Sequence, residues 1–334
     1  MTDRKKDHID LAFKSKTGTD EIDRRFYYEP LLSHHPVNDL RPFRFLGHTL
    51  RAPLWVSSMT GGTELAGPIN RNLARVCREF GLGMGLGSCR PLLKSDEHFA
   101  DFDMREIIGK DLPFYANLGI AQLESFVLNG DITPVDRLVD KLKADGLIIH
   151  VNPMQEWLQP EGDLFSQPPI DTIRSFLDMA AYPVIVKEVG QGMGPESLRA
   201  LLQLPLEAIE LAAFGGTNFA KVELLRSDET RRQYYEPLSH IGHDAFEMTE
   251  MINTIVEEKI SINCRQIIIS GGIQTFLDGY CLISRCKLPA IYGQASGFLK
   301  YASKSYDDLY TFVKYQVDGI KLANAYFVTK DLKK

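Results

Sequence analysis

The sequence has 334 residues and a formal net charge of −6; with no basic stripe to neutralise phosphates, nucleic acid is excluded as a partner. The five cysteines (Cys77, Cys89, Cys264, Cys281, Cys286) are odd in number and form no C-x-x-C, so they build neither a disulfide framework nor a zinc knuckle and fit a reducing, cytoplasmic setting. The N-terminal residues lack the apolar stretch of a signal peptide, and no apolar run approaches the ~18 residues of a membrane helix, so no membrane association is expected.

Residues 1–50 read as an N-terminal arm and lead-in that cover the mouth of a following domain, residues 51–334. In that domain eight short apolar runs alternate with helical patterns. The runs are 52–58, 82–88, 113–117, 147–151, 183–187, 207–213, 266–270 and 289–293. Amphipathic stretches lie at 67–80, 134–144, 170–180, 195–204, 244–258 and 275–286. In 134–144, Val135, Leu138, Val139 and Leu142 share one face. Strands of four to seven mostly apolar residues are those of a parallel sheet buried on both sides. Eight β/α alternations without a break in composition predict a single (β/α)8 TIM barrel, with an open doubly wound sheet as the rival architecture.

Polar and glycine residues cluster just after these runs, which in a barrel places them in one ring of loops at the carboxyl mouth, where active sites of this fold lie. After the first run come Ser58-Met59-Thr60-Gly61-Gly62-Thr63, suited to the edge of a flat heteroaromatic ring or, equally, to an N-cap for the next helix. Arg90 follows the second run and is suited to bidentate pairing with a phosphate. His150-Val151-Asn152-Pro153-Met154-Gln155-Glu156 follows the fourth. There His150 and Asn152 share a face, Pro153 ends the pairing, and Gln155 and Glu156 project over the mouth. A single carboxylate such as Glu156, completed by water and substrate phosphate, is a usual Mg²⁺ holder. Lys187 ends the fifth run and meets either a ligand anion or a neighbouring carboxylate. The long segment 214–243 after the sixth run is charged and reads as a mobile lid or an oligomer contact. Gly271-Gly272-Ile273 and Tyr292-Gly293-Gln294-Ala295-Ser296-Gly297, after the seventh and eighth runs, read as a paired phosphate cradle, with ordinary tight strand-to-helix turns as the alternative. Backbone N–H groups approach an anion closely where no Cβ intervenes, and the next helix adds its positive end. Neither Gly83-Met-Gly85-Leu-Gly87-Ser nor Gly190-Gln-Gly192-Met-Gly194-Pro satisfies the dinucleotide fingerprint. Arg4, Lys5 and His8 by themselves read as a solvated charge run.

Taken in order, Arg4-Lys5-x-x-His8-Ile9, Met59-Thr60-Gly61-Gly62-Thr63, Ile69-Asn70-x-x-Leu73-Ala74, Gly87-Ser88-x-Arg90, Asn117-Leu118-Gly119, His150-x-Asn152-Pro153-x-Gln155-Glu156, Gln159-Pro160-Glu161-Gly162-Asp163, Val186-Lys187-Glu188-Val189-Gly190, Gly215-Gly216-Thr217-x-Phe219 and Gly271-Gly272-Ile273 resemble the type 2, FMN-dependent isopentenyl-diphosphate isomerases over about residues 3 to 300. The resemblance implies a barrel that uses reduced FMN and Mg²⁺ and is kept reduced by NADPH. It implies interconversion of isopentenyl and dimethylallyl diphosphate without net redox change, in a homo-oligomer whose only ligands are small molecules. It implies Arg4, Lys5, His8, Ser88, Arg90 and Asn152 as diphosphate ligands, Gln155 facing the reacting carbons, and Glu156 on Mg²⁺. It also implies flavin contacts from Met59, Thr60, Gly61, Ser88, Asn117, Lys187, Thr217, Gly271, Gly272, Ala295 and Ser296. The sequence departs from the family pattern at Cys89, at Gln274, at Gly194, and at Ala212-Ala213-Phe214 before the Gly-Gly-Thr. Two rival readings are an FMN barrel that oxidises a 2-hydroxy acid, which calls for a histidine base and paired arginines, and a flavin- or phosphate-binding barrel without activity.

Overall fold

The computed structural model describes residues 4–58 and 65–330, without the side chain of Lys5. Eight parallel strands close into a barrel in chain order: β1 (Leu54–Val56), β2 (Gly83–Gly85), β3 (Phe114–Gly119), β4 (Gly146–His150), β5 (Val184–Lys187), β6 (Ala208–Glu210), β7 (Ile267–Ser270) and β8 (Ala290–Gln294). Each lies within one of the eight apolar runs or overlaps it closely, and the closed order rules out the open sheet. The predicted amphipathic stretches are helices Ala66–Phe80, Thr133–Leu142, Pro169–Met179, Pro195–Leu202, Ala245–Glu257 and Phe276–Arg285. In Thr133–Leu142 the buried residues are Val135, Leu138, Val139 and Leu142, the face that the 3.6 period selects.

Alternation along each strand sorts the barrel interior into layers. The lower interior is apolar: Trp55, Tyr115, Ile148, Ile185 and Ile268 are fully buried or nearly so. Two glycines of β2 make room for the Trp55 indole and for Ile148. A Cβ on Gly83 would lie 2.5 Å from the indole, and one on Gly85 would lie 2.4 Å from Ile148. Two residues further along each strand the inward positions turn polar. The top layer is Ser57 beyond β1, Asn117, His150, Lys187, Glu210, Ser270 and Gly293. Outward residues meet the helices; Tyr292, for example, packs over Gly279 and bonds Gln316 at 3.1 Å.

Three features depart from the sequence expectations. The lead-in does not lie wholly over the mouth. Its hairpin, Phe43–Phe45 against His48–Leu50, closes the opposite, amino end of the barrel, where Leu46 N–H donates to the Gln266 side chain at 2.7 Å and His48 faces Asp145. Phe45, Leu46 and Leu50 are buried in the main core, because this end of the barrel presents apolar strand starts that need a cover. Earlier in the arm, Phe26–Tyr28 pairs antiparallel with Phe327–Thr329, so these two segments meet on the outside of helix Phe276–Arg285, against Tyr280. Finally, segment 214–243 is no featureless loop. It folds into helices Phe219–Arg226 and Glu229–Tyr235 and a 3-10 turn at Glu236–His240. Asn218 and Asp228 cap the two helices, and Ala220, Leu224 and Leu238 form a small apolar cluster with Met154 and Leu158.

Candidate active site

The carboxyl ends of the strands enclose a cavity of about 310 Å³ lined by Ser57, Ser58, Lys187, Glu210, Thr217, Ser270 and the glycine turns after β6, β7 and β8. The turns after β6 and β7 touch through bare backbone. Gly215, Gly271 and Gly272 have φ of +107°, +92° and +71°, and a Cβ on Gly271 would lie 2.0 Å from the Ala213 carbonyl oxygen. No residue with a side chain fits there without moving the neighbouring strand. Of the two helices that follow the paired turns, Phe276–Arg285 is capped by its own residues: Asp278 accepts from the N–H groups of Gln274 and Thr275 at 3.1 and 2.8 Å. Helix Ser296–Ala302 has no side-chain cap among the described residues, so both helix starts keep N–H groups that an anion could use.

Four buried polar atoms facing this cavity have no hydrogen-bond partner among the described residues: Ser57 Oγ, Ser58 Oγ, Glu210 Oε2 and Gln294 Oε1. Buried polar groups left unpaired cost about 1–3 kcal/mol each, so four facing one space mark a site for a polar ligand. The Lys187 ammonium, 7% exposed, donates to the Glu188 carbonyl at 2.8 Å. Glu188 itself turns away and accepts from the N–H groups of Gly190, Gln191 and Gly192; burial raises its pKa against those three bonds. Lys187 is therefore the cation on the cavity wall, and the Glu188 carboxylate shapes the loop beyond it.

Beside the cavity, over β3 and β4, lies a second group of polar residues. The orientation of Asn117 is set by its Nδ2 donating to the Leu86 carbonyl at 2.9 Å, so its Oδ1 accepts from His150 Nδ1 at 2.8 Å. Burial, helped by the charge of Lys187, lowers the His150 pKa to about 3. The ring is thus neutral, with its proton on Nδ1 and a lone pair on Nε2. Asn152 Nδ2 donates both to Gln155 Oε1 at 3.1 Å and to Glu156 Oε1 at 3.0 Å. The other Glu156 oxygen accepts from Asp163 N–H at 2.8 Å. Gln155 Nε2 in turn donates to Glu223 Oε1 at 3.3 Å, and Glu223 Oε2 accepts from Arg226 at 2.9 Å. Arg90 pairs with Asp163 at 3.2 Å. Helix Pro153–Leu158 carries Gln155 and Glu156, and the apolar cluster with helix Phe219–Arg226 fixes its place.

The structure thus brings together Arg90, Asn117, Asn152, Gln155, Glu156, Lys187, Thr217, Gly271, Gly272, Ala295 and Ser296, with Ser88 exposed at the rim. Arg4 and His8 lie on the exposed helix Arg4–Ala12, with no recorded bond to the mouth among the described residues. Met59, Thr60 and Gly61 lie outside the described residues. Of the departures, Cys89 is buried with its N–H on the Asn117 carbonyl, its thiol pushed up to about 12 by burial; Gly194 precedes helix Pro195–Leu202 as its N-cap. Sequence reasoning missed Glu210 and Glu223, and gave Ser57 no role of its own. Glu210 is a lone carboxylate in an apolar strand, and Glu223 shares a helix face with Ala220 and Leu224; both are signals that an acid is buried.

Among the described residues no helix is long and apolar enough to cross a membrane, and no group of three or more His, Cys, Asp or Glu side chains stands ready for a metal. No protein-family model matches the chain. A mandelate oxidase variant solved with a monooxide FMN adduct superposes with a TM-score of 0.56 at 12% identity, covering 90% of this chain and 82% of that one; at that identity the likeness speaks for the barrel fold alone. The chain is 37% identical over 270 residues to the isopentenyl-diphosphate delta-isomerase of Deinococcus radiodurans, covering 79% of this chain and 74% of that protein. It is 33% identical over 330 residues to that of Rickettsia peacockii, covering 96% and 92%. With relatives so similar along nearly its whole length, and a barrel whose mouth gathers most of the motifs, the chain belongs to the type 2 isopentenyl-diphosphate delta-isomerase family.

Proposed function

We propose that this protein interconverts isopentenyl diphosphate and dimethylallyl diphosphate, with reduced FMN and one Mg²⁺, and without net redox change. The observation that carries the reading is the side-by-side placement of a cavity with four unpaired polar atoms and the ordered Asn152–Gln155–Glu156–Glu223 set. One space suits a flat polar cofactor, and the other suits a small anionic ester. NADPH is the reductant we assign to the flavin, on the family resemblance.

Moving the double bond requires a proton to reach one carbon and another to leave a carbon two positions away. The reduced flavin supplies an electron-rich ring against which positive character at the carbon between them is stabilised. Lys187, on the cavity wall, would supply positive charge to that ring, which favours the anionic reduced form. The glycine turns and the start of Ser296–Ala302, all on the cavity lining, would hold its phosphate. Glu156, whose two oxygens each accept one bond among the described residues, would retain lone pairs for Mg²⁺, with the substrate phosphates completing the shell. Gln155 is held by both ends of its amide, through Asn152 and Glu223, so its free edge points in one fixed direction over the reacting carbons. Arg90, with Arg4, Lys5 and His8 closing from the arm, carries the diphosphate charge and excludes water, which would trap a tertiary cation.

Oxidation of a 2-hydroxy acid is served less well. That reaction calls for paired arginines beside a histidine base, and among the described residues His150, with Nδ1 on Asn117, is accompanied at the mouth by Arg90 paired with Asp163. Anaerobic incubation of the flavin-loaded protein with dithionite, Mg²⁺ and isopentenyl diphosphate decides between these. Formation of dimethylallyl diphosphate with no second substrate consumed is expected. Folded, flavin-loaded protein that forms none would overturn the proposal.

A further inference from the structure

Glu210 is fully buried, at 0% exposure, and lines the cavity with one carboxylate oxygen unpartnered. Its position is fixed from both sides. In register it stands opposite Lys187 of β5. From β7, Ser270 Oγ donates to Glu210 Oε1 at 3.1 Å while accepting from Ala212 N–H at 3.0 Å. The serine has one proton, and that acceptor role leaves it directed at Glu210. Oε1 is thereby occupied and Oε2 left for whatever fills the cavity. Gly293 keeps this floor open, since a Cβ there would lie 2.6 Å from Ser57 Oγ.

We infer that Glu210 is a cofactor-binding residue whose free carboxylate oxygen accepts a hydrogen bond from a ribityl hydroxyl of the flavin. The inference rests on the flavin reading above and assigns a part of the cofactor that no motif in the sequence addressed. A carboxylate at this depth repels both a phosphate and a diphosphate ester, so neither of the anionic ligands lies against it. It lines the same cavity as the glycine turns proposed for the phosphate, and the portion of the cofactor next to that phosphate is a neutral polyol with three O–H donors. Ser57 Oγ, on the same floor, offers a second partner to that chain. The carboxylate also keeps Lys187 from making the floor wholly cationic, so that the polyol meets donors and acceptors in alternation.

The test uses apoprotein and three flavins, with binding read by fluorescence quenching: FMN, riboflavin (polyol without phosphate) and lumiflavin (neither). In Glu210→Gln the affinities for FMN and riboflavin should fall about tenfold, the worth of one charge-assisted hydrogen bond, while that for lumiflavin stays at the wild-type value. Ser270→Ala, which removes the orienting hydroxyl and leaves the carboxylate, should give the same pattern at about threefold. If Glu210→Gln loses its fold by circular dichroism, the Ser270→Ala result decides. Unchanged FMN binding in a folded variant overturns the inference, and so does an equal loss for lumiflavin, which would place the carboxylate on the ring. A wild-type protein that binds no flavin overturns the flavin reading itself, and this inference with it.

Discussion

Replacing Glu223 by glutamine keeps the volume of the side chain and removes one acceptor. In the native structure both carboxylate oxygens receive donors: Gln155 Nε2 at 3.3 Å and Arg226 Nη1 at 2.9 Å. An amide offers one oxygen, which the guanidinium takes as the stronger, charged donor. The new NH₂ then faces the NH₂ of Gln155. Gln155 cannot resolve this by flipping, because its oxygen already accepts from Asn152 Nδ2, and that same Nδ2 is held by Glu156. The chain of polarity from Glu156 to Glu223 has one consistent direction, so one bond to a charged group is lost wherever the defect settles. That costs about 1.5–3 kcal/mol. If Gln155 is held this way to face the reacting carbons, kcat falls about ten- to hundredfold. KM should remain within about twofold, since Glu223 meets Gln155 and Arg226 rather than the diphosphate. The assay is steady-state turnover of isopentenyl diphosphate under reducing conditions, with flavin content measured on each preparation. Arg226→Ala is the control: its side chain is 58% exposed, and it should change kcat by less than about threefold. A Glu223→Gln enzyme with wild-type kcat, or one impaired only in KM, would show that Gln155 does not depend on this partner.

Further outcomes follow from individual residues. Glu156→Gln should abolish the dependence of turnover on added Mg²⁺ and most of the activity while FMN remains bound, checked by metal titration and the visible spectrum; retained Mg²⁺-dependent turnover would place the metal elsewhere. Ala212 adopts φ +45°, a left-handed conformation that costs an alanine about 1 kcal/mol, so Ala212→Gly should raise the unfolding free energy by up to that amount in urea, and a lower midpoint would refute the strain. His150 is held neutral by burial down to about pH 3, whereas the unfolded ring takes a proton at its ordinary 6.5. Its folded pKa is depressed, so its stability contribution is intact above pH 6.5 and is lost at up to about 1.4 kcal/mol per pH unit as pH falls from there toward 3. His150→Gln should show a flatter stability profile than wild type across that window, and parallel profiles would contradict it.

The barrel itself was written in the local pattern of the chain. Eight runs such as Gln266-Ile-Ile-Ile-Ser270 are too apolar for a half-exposed sheet, and a period of 3.6 in segments such as 134–144 selects the buried face, so strands, helices and their alternation are legible residue by residue. The glycine turns after β6 and β7 are equally local, because only glycine fits a positive φ against a neighbouring backbone, as Gly271 does against Ala213. The ordered motifs likewise named Asn152, Gln155, Glu156 and Lys187. What tertiary structure alone decided are matters of partnership. Phe26–Tyr28 meets Phe327–Thr329, and the hairpin at 43–50 turns to the barrel's amino end rather than its mouth; no local periodicity specifies which distant surface a short strand will cover. Glu223 became a partner of Gln155 only because a helix from segment 214–243 packs its apolar face on helix Pro153–Leu158. Glu210 became a cavity residue only because the closed register sets it between Lys187 and Ser270. A carboxylate's neighbours are fixed by strand register and helix docking, which sum over the whole core, whereas its local sequence shows only that an acid sits among apolar residues and must find partners.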